Sequence, residues 1–116
     1  HDSSDVLSFA DEVLVLKDGQ LIETGNPKTI YEDPKNKYIA SLFGDVNEIE
    51  IDGRIELIYP DQLIIVEKSD LKVEVVKSYF LGNHFLIEAN NIDKAIFFDS
   101  EKELATGTII YLKKKP

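Results

Sequence analysis

The sequence predicts a mainly β protein, in which a small β-barrel follows a short α/β segment. Beyond residue 47, apolar and polar residues alternate with the period of half-buried strands. Turn residues recur at short, even intervals through the same region, as they do in small barrels. Before Gly44, helix-type spacing and Asn-Pro and Asp-Gly steps dominate instead. We therefore divide the 116 residues into an α/β segment, residues 1–45, and a barrel, residues 46–116.

The first segment is predicted to open with a helix and a hairpin. Ser3 or Ser4 caps the helix, and its apolar side consists of Val6, Leu7, Phe9 and Ala10. A two-residue turn at Asp18-Gly19 then joins two strands. This turn places Leu16 opposite Leu21 and Val15 opposite Ile22.

Two short helices are predicted to complete the segment. Asn26 is the N-cap of the first helix and Pro27 its first residue, while Pro34 ends it because a proline ring does not fit a helix interior. The second helix covers residues 35–43, and Gly44 is its natural C-terminal stop.

The first turn of the barrel follows from side-chain parity. Ile49, Ile51, Ile55 and Leu57 are all odd-numbered. A two-residue turn at Asp52-Gly53 would place the two apolar pairs on opposite faces. We therefore predict a three-residue loop, which pairs Ile51 with Ile55, or an unbroken strand bulged at Gly53.

The rest of the barrel is predicted to contain five strands. Turn residues separate them at Ser69-Asp70, Gly82-Asn83, Asn90-Asn91 and Thr106-Gly107. The alternation slips between Val75 and Val76, which predicts a bulge. The strands cover residues 62–67, 71–80, 85–89, 95–98 and 108–112.

Composition and charge limit the function. The chain has 22 acidic and 13 basic residues, a net charge of −9, which disfavours nucleic-acid partners. With no cysteine, and with His1 and His84 far apart in sequence, no disulfide and no metal site is predicted. No apolar run approaches the ~20 residues that a membrane-spanning helix needs, and no basic-then-apolar leader pattern is present. We therefore expect a partner protein to mediate any membrane association.

Few side chains are candidates for chemistry. His84 is interpreted as a turn or barrel-rim residue, and Lys113–Lys115 as a solubilising tail. The carboxylates of Glu48, Glu50 and Glu56 are interpreted as a solvated sheet face, because they alternate with apolar residues. Most of the barrel's aromatic residues are interpreted as core: Tyr79, Phe80, Phe85, Phe97, Phe98 and Tyr111. His1, taken alone, is interpreted as a tag remnant in front of a surface helix, and the alternative is a functional residue.

A longer pattern decides between these alternatives. The stretch HDSSDVLSFADEVLVLKDGQLIETGNPKTIYEDP resembles, without a gap, the C-terminal part of ABC transporter ATP-binding subunits. The next stretch, NKYIASLFGD, resembles the helix that ends the nucleotide-binding domain of importer ATPases. From Tyr59 onward, YPDQL and FLGNHF resemble the TOBE domain, an OB-type β-barrel appended to such ATPases. Tyr59 stands where that family commonly has arginine.

The resemblance implies a role for His1. In the family, the corresponding histidine is the switch residue that contacts the terminal phosphate of ATP and helps to hold the attacking water. We therefore expect His1 to be a catalytic residue of the parent ATPase, with ATP and Mg as the parent's cofactors. The sequence contains no phosphate-binding loop of the Gly-x-x-x-x-Gly-Lys-Ser/Thr type. The segment alone is therefore expected to bind no cofactor and to hydrolyse no ATP.

The resemblance also implies partners and location. The segment would be the C-terminal regulatory and dimerisation region of an importer subunit, which pairs with a second copy and binds membrane permease subunits at the cytoplasmic face. Exposed sheet edges favour the same homodimer, with contacts at Ile49, Ile51 or the strand near Phe97. The favoured transported substrates are iron(III) and polyamines. The alternative is a barrel that binds an oxyanion or another small ligand.

Overall fold

The computed structural model describes the backbone of residues 4–9 and 12–116, and side chains from residue 12 onward. The chain consists of two compact units that divide between Gly44 and Asp45. Strands dominate the described residues, which confirms the predicted mainly β class.

The first unit contains an antiparallel sheet in the order β1-β2-β3, followed by two short helices. Its small core consists of Val13, Ile30 and Ile39, against which Tyr38 packs. The elements are β1 (Ser4–Phe9), β2 (Glu12–Lys17), β3 (Gln20–Gly25), α1 (Pro27–Glu32) and α2 (Lys37–Ser41).

The predicted N-terminal helix is wrong, because Ser4–Phe9 forms strand β1. Its backbone pairs with β2 along its whole length, from Ser4 opposite Lys17 to Phe9 opposite Glu12. A helix this short is marginal in water, whereas an existing strand edge offers partners for its backbone groups. The predicted cap at Ser3 and the apolar residue Ala10 lie outside the described residues.

The predicted hairpin between β2 and β3 is confirmed at its turn and differs in its register. Asp18 and Gly19 both have positive φ, 51° and 81°, as a tight two-residue hairpin turn requires. Leu16 lies opposite Leu21 as predicted. A register shift then places Val15 opposite Glu23 rather than Ile22, because β3 accommodates one extra residue.

Side chains fix the beginnings of both helices. Asn26 Oδ1 accepts hydrogen bonds from the backbone N–H groups of Lys28 and Thr29, at 2.9 and 3.4 Å, which confirms the predicted cap. Asn36 Oδ1 accepts from Ile39 N at 2.9 Å, so α2 is shorter than the predicted helix of residues 35–43. Because the Asn36 side chain caps the first turn, the helix begins at Lys37 and not at the predicted Lys35.

The second unit contains a five-stranded antiparallel sheet and a separate hairpin. The sheet order is β6-β10-β7-β8-β9, and the hairpin consists of β4 and β5. Among the described strands no ladder joins β6 to β9, so the sheet is open there. The elements are β4 (Asn47–Ile51), β5 (Arg54–Ile58), a 3₁₀ turn (Pro60–Gln62), β6 (Leu63–Val66), β7 (Leu71–Phe80), β8 (Phe85–Asn91), β9 (Lys94–Ser100) and β10 (Ile109–Lys114).

The predicted loop between β4 and β5 is wrong. Ile51 pairs with Arg54, so the turn has two residues, Asp52 and Gly53, with φ of 52° and 78°. The apolar residues accordingly divide between the two faces of the hairpin: Ile49 is buried, whereas Ile55 is 61% exposed. The two-residue Asp-Gly turn is therefore favoured more strongly than the three-residue loop that would have placed Ile55 on the same face as Ile49.

The long strand β7 confirms the predicted bulge. Its register with β8 shifts between Val75 and Lys77. The loop before β10 covers this point, where Gly107 N donates to Val75 O and Thr106 Oγ1 donates to Val76 O, at 2.8 and 2.9 Å. β7 has the predicted bounds, whereas β8, β9 and β10 extend beyond theirs.

The turn predicted at Asn90-Asn91 lies two residues later, at Ile92-Asp93. Asn91 pairs with Lys94, which leaves Ile92 as the first turn residue with φ of 59°. Its side chain is 94% exposed. Positive φ is unfavourable for a β-branched side chain, and Asp18 and Asp52 show that aspartate adopts a similar φ as the first residue of a two-residue turn.

Replacing Ile92 with Asp is therefore expected to stabilise the second unit of the monomeric chain, at a protein concentration too low for dimers. The change relieves a backbone penalty of about 1 kcal/mol and removes almost no buried apolar surface. Urea unfolding followed by circular dichroism measures the effect. Ile92→Val is the matched control and should leave the free energy of unfolding nearly unchanged, because valine is also β-branched.

Candidate functional site

The predicted catalytic residue, His1, lies outside the described residues, and so does its neighbour Asp2. Its role as a switch histidine therefore stays a prediction. The described part of the chain presents a different candidate site, a groove in the second unit.

The groove lies where the β4-β5 hairpin meets one end of the five-stranded sheet and has a volume of about 540 Å³. Its apolar lining comes from both the hairpin and the sheet, and charged residues surround it. The apolar residues are Ile49, Ile51, Ile55, Ile58, Leu63, Leu71, Ile96 and Leu112. The charged residues are Glu48, Glu50, Asp52, Asp70, Lys94, Lys113 and Lys114.

Asn47 joins the hairpin to the sheet. Its Nδ2 donates to Phe97 O at 2.7 Å, and its Oδ1 accepts from Phe97 N at 2.8 Å. The side chain is buried, with 3% of the residue exposed. One amide thus satisfies both backbone groups of an edge residue of β9, as a neighbouring strand would. This contact determines where the hairpin lies over the sheet and so shapes the groove.

A second contact joins the hairpin to the sheet, between β5 and β10. Lys114 Nζ lies 3.2 Å from Glu56 Oε1. Both side chains are more than a third exposed, so this ion pair contributes little to stability. It does place an acidic and a basic group next to each other beside the groove.

The charges of the groove do not favour an anion. Four carboxylates and three ammonium groups line it, a formal balance of −1. An oxyanion would meet the carboxylates as well as the lysines, and like charges repel in a partly desolvated site. The groove therefore gives no support to the alternative of an oxyanion-binding barrel.

The three glutamates do not form an acid–base set. Glu48 and Glu50 pair with Leu57 and Ile55, whereas Glu56 pairs with Ile49 on the opposite face of the hairpin. They do not converge on one point, in agreement with their interpretation as surface residues.

His84 directly precedes β8 and lines a shallow pocket. Its Nε2 is 3.6 Å from Asp99 Oδ1, and its Nδ1 is 2.6 Å from Asn83 Oδ1. The ring is about one third exposed, which agrees with a rim histidine. Within residues 12–116, no group of three or more histidine and carboxylate side chains is arranged to hold a metal ion.

The interpretation of most barrel aromatics as core is wrong. Phe98 is fully buried and Phe85 packs partly against the core, but Tyr79 and Phe80 are exposed, by 37% and 68%. Phe97 and Tyr111 are half-buried. The bulge in β7 reverses the parity of the strand and turns Tyr79 to the outer face. Phe80 is exposed because it is the last residue of β7, and Phe97 alternates with the buried Ile96 and Phe98 on β9.

Tyr79 is held on that face by a charged neighbour. Its hydroxyl donates to Glu88 Oε1 at 2.7 Å, and Lys77 Nζ lies 5.1 Å from its ring centroid. The hydrogen bond to Glu88, which the phenolate cannot donate, raises the pKa of Tyr79 above its usual 10.

This raised pKa predicts a pH dependence. The contribution of the hydrogen bond to stability is fully present below pH 10 and is lost as the pH rises through the folded-state pKa. Titration of the tyrosine ring by carbon NMR should show Tyr79 ionising at higher pH than in the Glu88→Gln variant. Equal titration in the two proteins would contradict this account.

Asn47 belongs to no motif that the sequence shows, and its role was not predicted. The available signal was its odd number, which places it on the same face as Ile49 and Ile51. A polar residue in an otherwise apolar row indicates a buried hydrogen bond. Among the described residues, no helix has the length and apolarity that a bilayer crossing requires.

Comparison with known proteins identifies the class to which the chain is related. No protein-family model matches it. Individual sequences do match over about two thirds of its length, and the chain is a homologue of the ATP-binding subunits of ABC importers. This agrees with the resemblance noted in the sequence.

Two of these relatives have the same name. The spermidine/putrescine import ATP-binding protein PotA of Vibrio vulnificus is 29% identical, over 66% of this chain and 26% of the relative. The protein of the same name from Trichormus variabilis is 32% identical, over 67% of this chain and 20% of the relative. The chain thus spans only about a fifth to a quarter of the length of these relatives.

Proposed function

We propose that the chain is the C-terminal segment of an ABC importer's ATP-binding subunit, with residues 46–116 forming a TOBE domain. The homology to import ATP-binding subunits carries this proposal. The order of elements supports it, because a hairpin and two short helices precede a separate antiparallel β unit. The complete subunit binds Mg-ATP and couples its hydrolysis to uptake, with His1 as the switch residue.

The same homology supports the proposed permease partners and peripheral location. The subunit works as a homodimer, bound peripherally to permease subunits at the cytoplasmic face of the membrane. The β unit serves as a regulatory and dimerisation module. Of the two substrates that the sequence favours, the names of the relatives support a polyamine over iron(III).

Uptake tests the substrate. Cells or vesicles carrying the complete transporter should accumulate radiolabelled putrescine or spermidine, and a variant lacking the gene for this subunit should not. Labelled iron(III) citrate is the matched control and should not accumulate. Accumulation of iron without polyamine would contradict the polyamine assignment and would leave the importer class intact.

The isolated 116-residue chain is expected to bind no ATP. It has no loop of backbone amides with a lysine to hold the phosphates, and the groove in its second unit carries a balance of −1. Calorimetric titration with Mg-ATP should show no binding heat up to millimolar nucleotide. Saturable binding in the micromolar range would contradict the assignment of the segment.

A further inference from the structure

We propose that Ile92 is an apolar anchor, which a second copy of this chain receives in its groove between the β4-β5 hairpin and the sheet. This inference rests on the proposed homodimer and adds the contact that forms it. Three features of the second unit carry it: the position of Ile92, the position of the groove and the charges around the groove.

Ile92 contributes almost nothing to its own fold. Its side chain is 94% exposed at the tip of the β8-β9 turn. Its φ of 59° is unfavourable for a β-branched residue, whereas the residues with similar φ that begin two other turns of this chain are aspartates, Asp18 and Asp52. A strained and exposed apolar residue that the fold does not need indicates a role outside the fold.

The groove lies directly beside this anchor. Asn91 and Lys94, which flank the turn, both line it. Its floor includes Ile51, Ile96 and Leu112, which form or pack against the core of the unit. A projecting apolar side chain and an apolar recess thus occur at the same end of the unit. A two-fold axis between two copies can bring each Ile92 to the other's groove, which makes a closed contact.

The charges around the groove fit a second copy of this chain better than a partner whose surface carries charge of only one sign. Glu48, Glu50, Asp52 and Asp70 are acidic, and Lys94, Lys113 and Lys114 are basic. When the grooves of two copies face each other, the acidic residues of each copy can pair with the basic residues of the other. A strongly acidic or strongly basic partner would meet repulsion from one set.

Sedimentation of the 116-residue chain and its Ile92→Asp variant tests the anchor. We expect the dimer Kd to rise about tenfold or more in the variant, because the substitution replaces a central apolar contact with a charge. Leu81→Asp is the matched control. Leu81 is also an exposed residue near a hairpin tip, at 53%, but it does not line the groove, and its variant should dimerise within about twofold of the parent chain.

Directed cross-linking tests where the anchor lies. The chain contains no cysteine, so introduced thiols report only their own contacts. A mixture of Ile92→Cys and Ile55→Cys chains should form the mixed disulfide dimer, since Ile55 is an exposed residue of the groove lining. A mixture of Leu81→Cys and Ile55→Cys chains is the control and should form no such dimer above the background of random collisions.

The outcomes separate the anchor from the proposed function. A dimer that is equally tight in the parent chain and in Ile92→Asp overturns the anchor and leaves the homodimer standing. A chain that stays monomeric at every concentration up to about 1 mM overturns both the anchor and dimerisation through this segment. Neither result affects ATP hydrolysis by the complete subunit, which is measured separately.

Discussion

Replacing Asn47 with Ala is expected to lower the free energy of unfolding of the second unit by about 3 kcal/mol. The amide makes two hydrogen bonds to the backbone of Phe97, and its removal leaves an N–H and a C=O of β9 without their partner. The loss also releases the β4-β5 hairpin from the edge of the sheet. Urea unfolding monitored by circular dichroism gives the value directly.

Two further variants separate this contact from general effects of losing an amide. Asn47→Asp should be about as destabilising, because a carboxylate accepts from Phe97 N but cannot donate to Phe97 O. Asn91→Ala is the control: its Nδ2 makes one bond, to Lys72 O at 2.8 Å, at an exposed position. It should cost about 1 kcal/mol or less. Equal losses at Asn47 and Asn91 would show that the double contact has no special role.

Replacing His1 with Ala in the complete subunit is expected to reduce ATP turnover about 10²- to 10³-fold and to leave ATP affinity nearly unchanged. The proposed histidine stabilises the transferring phosphate and the attacking water in the transition state, so its loss affects kcat rather than nucleotide binding. Steady-state hydrolysis and equilibrium binding of a fluorescent nucleotide analogue measure the two quantities separately.

The neighbouring Ser3 supplies the control for His1. Ser3→Ala alters the same stretch of chain without removing an imidazole and should retain most of the turnover. Should His1→Ala hydrolyse ATP at the parent rate, the assignment of the switch residue is wrong. A parallel loss of nucleotide affinity would indicate a binding role in place of a catalytic one.

Most of the strand pattern of the second unit was accessible from the sequence, because alternation and turn residues act locally. β7 has its predicted bounds, and the slip at Val75-Val76 corresponds to the observed bulge. The errors arise where two local preferences compete. At Asp52-Gly53, parity favoured a longer loop, yet the two-residue turn formed and left Ile55 exposed.

The candidate groove was not accessible in the same way, because residues distant in sequence form it. Asn47 and Phe97 are 50 positions apart, and no spacing rule relates them. Ile92 was missed because the turn was expected at Asn90-Asn91, where the residue types favour it. The N-terminal strand was missed for a related reason: β1 exists through its pairing with β2, which local helix signals do not reveal.

Hydrolysis of Mg-ATP by the complete subunit proposed above tests the central claim most directly. We predict that the complete subunit hydrolyses ATP and that its rate rises when the permease subunits are present. The 116-residue chain, assayed beside it, should show no activity. A complete subunit that neither binds nor hydrolyses ATP would contradict the assignment of this chain to an importer's ATP-binding subunit.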